Sequence, residues 1–278
     1  MHDVYVIGGL VLDLYEEFDR YPEEGEEVFS PSFSSVIGGT AYNISQGFLR
    51  NGITPILSAY IGDDFIGEML SKGLKQREID TYLVKVRGVG TGVVFSVLTP
   101  NDRTMFTYRG ADSLFSLTDE MIDIAKTSKI TCISSYIFMG RDTIEKIRNF
   151  FQKIKENTKI ALSVAKGVLD MRFSWIVDVL DDVDIVFANS DEYLEISRYI
   201  KPGQEVIVTM GREGAKYIKG GEALFCNQDE KVERGRFTGA GDLFCAGFLS
   251  GRLKGLSPID SLALGNATSL SWIRYEFG

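Results

Sequence analysis

TCISSYIFM at 131–139, KIALSVA at 159–165, VDIVFA at 183–188 and EVIVTMG at 205–211 are almost uninterrupted apolar runs, with helical spacing between them. A strand wet on one face alternates apolar and polar residues. A run without alternation is a strand covered on both faces, as in a parallel sheet. Upstream, VYVIGGL (4–10) and TPILSAYIG (54–62) read the same way. Helical patterns occupy 40–50, 64–77, 118–127, 141–156, 171–181, 190–199, 240–253 and 258–275. This alternation predicts one doubly wound α/β domain over 1–278, a mostly parallel sheet with helices on both faces.

Two stretches break the rhythm. Residues 12–36 and 91–109 alternate apolar and polar side chains between turn signals, Asn101-Asp102 among them. They read as antiparallel strands outside the main sheet. Two readings stay open: a small β-flap over a pocket, or plain edge strands.

Composition narrows the chemistry. The 278 residues are 44% hydrophobic and 25% charged, with a mean hydropathy of +0.00. That is the profile of an ordinary soluble domain. The net charge of −9, with no basic run, argues against nucleic-acid binding. The opening MHDVYVIGGLVLDLY lacks a basic leader region, and no 18-residue apolar stretch occurs, so neither a secretory leader nor a membrane span is expected. Three scattered cysteines (Cys132, Cys226, Cys245) suggest a reducing, cytoplasmic setting. The single histidine, His2, removes Ser-His-Asp and Cys-His catalysis and HExxH zinc sites. No G-x-x-x-x-G-K-[ST] occurs, and Gly8-Gly9 is followed by Leu10, Val11 and Leu12 rather than G-x-G-x-x-G spacing. Any acid–base chemistry therefore rests on a carboxylate, Lys or Tyr.

The strongest local signal is Thr238-Gly239-Ala240-Gly241-Asp242, opening the apolar helical run LFCAGFLSGRL. Small residues at 239–241 let backbone N–H groups approach an anion, and the helix N-terminus adds positive potential. Asp242 would hold a carboxylate beside a bound phosphate. The plain alternative is a loop glycine and a stabilising first-turn acid. Asn189 and Glu192 follow a buried strand, where open α/β sheets bind ligands. Their hard oxygens suit Mg²⁺ through water, and they suit a helix cap equally. Gly38 and Gly39 would let amides touch a polyol, Asn43 offers donor and acceptor, and Asp13 can accept two hydroxyl bonds. Turn and surface roles are the alternatives for these four. Asn266 reads as a buried or surface amide, or as a neighbour of a nucleotide base. Cys245 reads as core.

In order along the chain, these segments resemble the ribokinase-like (PfkB) family of carbohydrate and nucleoside kinases. The GAGD helix start is similar to the D-T-x-G-A-G-D signature. Gly8-Gly9 with Asp13 resembles the family's first strand and its sugar-binding Asp. Residues 37–43, IGGTAYN, resemble the glycine pair and Asn that open the first helix, and 61–67 the G-x-D-x-x-G segment. Residues 189–192 match N-x-x-E, and 208–215 resemble V-T-x-G-x-x-G-A.

The resemblance implies a kinase moving the γ-phosphoryl group of ATP to a hydroxyl of a small sugar, nucleoside or related polyol. It implies Asp242 as base and Gly239, Ala240 and Gly241 as anion hole. Asp13, Gly38, Gly39 and Asn43 would bind the acceptor; Thr209, Gly211, Gly214 and Asn266 would border the nucleotide. Asn189 and Glu192 would hold Mg²⁺ through water. A lid from 12–36 and 91–109, and in some members a homodimer through it, also follow. The alternative is a non-catalytic sugar- or nucleotide-binding relative, against which the presence of Asp242 argues. Phe33, Tyr42, Phe95, Phe106 and Tyr108 are aromatic candidates for the wall of a nucleoside site, or else flap packing. One position departs from the pattern. The family's leading Asp, a ligand in members activated by a monovalent cation, falls at Arg236. No K⁺ requirement is expected, with Arg236 either replacing the ion or pairing with Glu233.

Overall fold

A computed structural model of the chain describes residues 2–100, 103–228, 230, 232 and 237–274. Alternation along the first strand, β1 (His2–Ile7), already separates two layers: Tyr5 and Ile7 enter one core, Val4 and Val6 another. The chain continues through β2 (Val11–Glu17), β3 (Phe33–Gly38), α1 (Thr40–Arg50), β4 (Ile56–Gly62), α2 (Phe65–Gln76), β5 (Asp80–Val86), β6 (Val93–Leu98) and β7 (Arg103–Tyr108). Next come α3 (Asp119–Lys126), β8 (Ser128–Ser134), α4 (Ile144–Ile154), β9 (Lys159–Ser163), α5 (Lys166–Leu180), β10 (Ile185–Asn189) and α6 (Ser190–Ile196). The last elements are β11 (Glu205–Thr209), β12 (Ala215–Lys219), β13 (Glu222–Cys226), α7 (Ala240–Leu253) and α8 (Pro258–Ile273).

The main sheet has the order β13-β12-β11-β10-β9-β8-β1-β4-β5. From β11 to β5 its strands are parallel, as their apolar runs predict, while β12 and β13 close one edge antiparallel. Helices α1, α2, α7 and α8 cover one face with Phe48, Leu70, Phe248 and Leu262; α3 to α6 cover the other with Met121, Phe150, Ile176 and Ile196. The sheet is doubly wound. From β1 the chain builds outward to β4 and β5 on one side and to β8 through β11 on the other. The carboxyl ends of these strands therefore border a crevice of the kind in which open α/β sheets bind ligands.

The second sheet has the order β3-β2-β6-β7. Its outer pairs are antiparallel, but the central pair β2–β6 is parallel, which corrects the expectation of antiparallel strands. The reason is topological: β2 and β6 follow the parallel strands β1 and β5, so both leave the same edge of the main sheet. The Asn101-Asp102 turn lies outside the described residues. Three strands had no counterpart among the apolar runs. β5 is a partly exposed edge, and β12 and β13 flank Gly220 and Gly221, whose φ values of 60° and 85° make a two-residue hairpin turn. Strand β8 stops at Ser134 rather than running to 139. Ser134 Oγ accepts the Tyr136 N–H at 3.4 Å as Ser135–Met139 coils into a 3₁₀ turn. Helix α5 starts at Lys166 rather than 171, because its dihedrals break at Arg172 and only the second half shows a clean pattern. Among the described residues no helix is long and apolar enough to cross a membrane.

Candidate active site

Alternate residues of the second sheet share one face. Asp13 and Tyr15 of β2, Val94 and Ser96 of β6, and Arg103 and Met105 of β7 all line a cavity of about 550 Å³. Gly9, Gly39, Thr40 and Asn43, from the end of β1 and the start of α1, form another wall, and Thr238, Gly239 and Asp242 a third. Asp13 is buried and accepts the Tyr15 hydroxyl at 3.3 Å. Gly38 lies behind it: a Cβ there would sit 2.1 Å from Asp13 Oδ2, so only glycine admits the carboxylate. Buried Asn43 Oδ1 and Thr40 Oγ1 have no hydrogen-bond partner among the described residues. Of the aromatic candidates, Phe33, Tyr42, Phe95, Phe106 and Tyr108 do not line this cavity; Tyr15, Tyr136 and Phe237 do. Phe95 and Phe106 pair with each other on the opposite face of the second sheet, out of phase with Val94 and Met105.

The third wall is a turn from Phe237 to Ala240. The Ala240 N–H donates to the Phe237 carbonyl at 3.2 Å, and Gly239, at φ 81°, supplies the left-handed third position. A Cβ at 239 would also approach Asn43 Nδ2 to 2.6 Å. Trp272 Nε1 donates to the Thr238 carbonyl at 2.8 Å, and Arg103 donates to Thr238 Oγ1. Of the three amides expected to face an anion, that of Ala240 is thus used within the turn. Those of Gly239 and Gly241, with the neighbouring Asp242 amide, have no partner among the described residues. Asn43 Nδ2 donates to Asp242 Oδ2 at 3.0 Å. Burial pushes the Asp242 carboxyl up to about 7; the Asn43 bond opposes this and the negative charge of Asp13 reinforces it. Its side chain keeps a partly exposed face on the cavity.

A second cleft, about 410 Å³, lies on the other side of this turn, lined by Thr209, Gly211, Gly214, Ala240, Gly241 and Asn266 among others. Asn266 Nδ2 donates to the carbonyls of Asn227 at 3.3 Å and Cys226 at 3.4 Å, so its amide is spent on the chain leaving β13. A smaller cavity of about 200 Å³, bordered by Asn189 and Glu192, shares Thr209 and Gly241 with this cleft and Gly239 and Asp242 with the first cavity. Asn189 and Glu192 form a reciprocal cap on α6: Glu192 N–H to Asn189 Oδ1 at 2.9 Å, Asn189 N–H to Glu192 Oε2 at 2.7 Å. Glu192 Oε1 accepts the Lys166 N–H at 2.9 Å. Burial raises the Glu192 carboxyl, against these backbone bonds. Among the described residues no three His, Cys, Asp or Glu side chains cluster as a complete metal cage. A metal here would therefore be held by one or two of these oxygens and by water. Arg236 and Glu233 lie outside the described residues.

A family model described as pfkB family carbohydrate kinase matches residues 1–275. The chain belongs to the PfkB family. One PfkB relative, the ATP-dependent 6-phosphofructokinase of Thermoanaerobacterium thermosaccharolyticum, is 26% identical over 99% of this chain and 88% of its own. Adenosine kinase from Sinorhizobium meliloti superposes with a TM-score of 0.86 at 23% identity, covering 99% of this chain and 94% of that one. Arabidopsis thaliana ribokinase, complexed with ribose and ATP, gives 0.83 at 19% identity, covering 100% and 95%. The fold is the ribokinase-like one, and the PfkB chain is a phosphotransferase with an alcohol group as acceptor.

Several residues of the PfkB site escaped the sequence reading. Arg103 is visible only once β7 is phased: it, Met105 and Thr107 face the cavity together. Arg109, at the foot of the second sheet, pairs with buried Asp112 (Nη2 to Oδ2 2.6 Å) and donates to the carbonyls of Met139 at 3.0 Å and Tyr136 at 3.2 Å. Burial raises the Asp112 carboxyl, and Arg109 opposes that. The pair fastens the Tyr136–Met139 wall to the second sheet. The 3₁₀ turn carrying that wall looks like a continuing strand in sequence.

Proposed function

We propose that this PfkB kinase transfers the γ-phosphoryl group of ATP to a hydroxyl of a small sugar, nucleoside or related polyol bound against the second sheet, which acts as its lid. The observation that carries the reading is Asp242. Its carboxylate borders the acceptor cavity and the small cavity that shares lining with the second cleft, and it is held by Asn43. Asp13, Asn43 and the Gly39 backbone orient the acceptor hydroxyls. As the acceptor O–P bond forms and the γ-P–O bond to ADP breaks, the hydroxyl proton passes to Asp242. The amides of Gly239, Gly241 and Asp242, at the N-terminus of α7, face the transferring oxygens. Arg103, held at Thr238, adds a guanidinium beside them. Thr209, Gly211 and Gly214 border the nucleotide. Mg²⁺, when bound, neutralises triphosphate charge; Glu192, with Asn189 beside it, would hold it through water. The three cysteines are free thiols, which supports a cytoplasmic setting. The exposed Phe33, Phe106 and Tyr108 on the outer face of the lid offer a surface for a homodimer.

ADP release measured over a panel of sugars, sugar phosphates and nucleosides tests the reading, with Asp242→Asn alongside. Turnover that the substitution removes is expected. Binding of ATP and an acceptor with no ADP release would favour the non-catalytic reading instead.

A further inference from the structure

Phe237 lines both the acceptor cavity and the nucleotide cleft, and no other described residue does. The small cavity that borders Asp242 runs past Thr209, Gly239 and Gly241 with Val164 and Phe187 as its apolar lining, and Phe237 stands apart from it, where the acceptor cavity and the nucleotide cleft share a wall. Phe237 is 47% exposed rather than packed into the core, and it lines both openings. Its backbone is fixed. The Phe237 carbonyl accepts the Ala240 N–H at 3.2 Å, and the next residue is gripped by Trp272 at its carbonyl and by Arg103 at its hydroxyl. The ring is thereby positioned relative to Asp242, five residues along the same turn and helix start.

A kinase with a carboxylate base faces a competitor smaller than any acceptor. Water beside Asp242 can give up its proton as an acceptor hydroxyl does. The γ-P–O bond to ADP then breaks while a P–O bond to water forms, releasing inorganic phosphate. We propose that the Phe237 ring is the partition that keeps bulk water from the γ-phosphoryl group where the two cavities meet. Phe237 is thus a positioning residue for coupling, an inference that rests on the kinase reading above. The glycine-rich turn leaves backbone amides open to the phosphate, and among the described residues Phe237 alone borders both the acceptor cavity and the nucleotide cleft.

The test follows ADP, inorganic phosphate and phosphorylated acceptor together, in the full-length enzyme with Mg·ATP. The acceptors are D-ribose, D-fructose, fructose 6-phosphate and adenosine, and one arm contains none. Phe237→Ala is expected to raise acceptor-free phosphate release about tenfold, a barrier lowered by roughly 1.4 kcal/mol. It should also lower the fraction of ADP matched by phosphorylated acceptor. Phe237→Leu should sit between the two, and it stands as the test on its own if the alanine variant does not fold. Adding Asp242→Asn to either variant should remove the excess phosphate release. Acceptor turnover with unchanged phosphate release and unchanged coupling in a folded variant would overturn the partition alone. If no acceptor yields ADP with the unaltered enzyme, the kinase reading fails and this inference fails with it.

Discussion

Asp242 is charged only above about pH 7, since its burial outweighs the bond from Asn43. In the proposed base role it would work in that charged form. The kcat/KM for the acceptor is therefore expected to climb with unit slope toward a plateau above about pH 7, in a pH–rate profile of the free enzyme. Stability runs the other way. Between about pH 4 and about pH 7 the folded chain holds a proton that the unfolded chain has released, so this group costs stability as pH rises through that window. Asp242→Asn should accordingly melt above the unaltered protein at alkaline pH, and the gap should close in acid. The same variant should lose roughly 10²–10⁴-fold in kcat while keeping its ATP affinity, measured by titration calorimetry; near-normal turnover would remove Asp242 from the base role. Asp13→Ala addresses the other carboxylate of the cavity. It is expected to raise the acceptor KM, each charge-assisted hydroxyl bond being worth about 1.5–3 kcal/mol. Acceptor-free ATP hydrolysis should stay where it was, and an unchanged KM would place Asp13 outside the binding set.

Among the elements, β7 reaches furthest, because Arg103 ties the second sheet to the turn that opens α7. Arg103→Met is expected to lower kcat by roughly 10²-fold, the usual loss when one aimed donor is removed from developing charge. Arg103→Lys should recover only part of it, since an ammonium lacks the guanidinium fork; full activity in both variants, by steady-state assay, would end this role. How much of this was legible in sequence differs between elements for physical reasons. Helices α1 and α7 occupy the predicted spans 40–50 and 240–253, since amphipathic spacing or a small-residue start fixes them locally. The Asn189–Glu192 cap was legible as a cap, being a bond between near neighbours. Arg103, Tyr136 and Phe237 were not. Their roles depend on which face of a strand meets which turn, and residues far apart in the chain decide that. The hairpin of β12 and β13 turns on Gly220-Gly221, but its strands lack the apolar continuity that makes the buried ones legible.

In the proposed reading, acceptor, nucleotide and phosphate-facing amides meet at one helix end, so each substrate would bind the folded chain and not the unfolded one. ATP with Mg²⁺, and the acceptor, should each raise unfolding free energy by about 2.7 kcal/mol when present at about 100 times Kd. Thermal melts that ignore both ligands would contradict the site. The family's cation-holding Asp falls at Arg236, so turnover in matched Na⁺, K⁺ and Tris buffers is expected to be equal, and strong K⁺ activation would refute that expectation. The Asn43–Asp242 bond joins positions 199 residues apart, and the Thr238 carbonyl waits for Trp272, in the last turn of α8. Synthesis runs from the N-terminus, and its early segments can fold before the rest exists. Here the second sheet and most of the parallel sheet precede any competent centre. A ribosome-bound nascent chain halted before α8 emerges would carry Asp242 on a turn still lacking its Trp272 anchor. It should hydrolyse no ATP, however complete its sheet, so a half-made chain would spend no nucleotide.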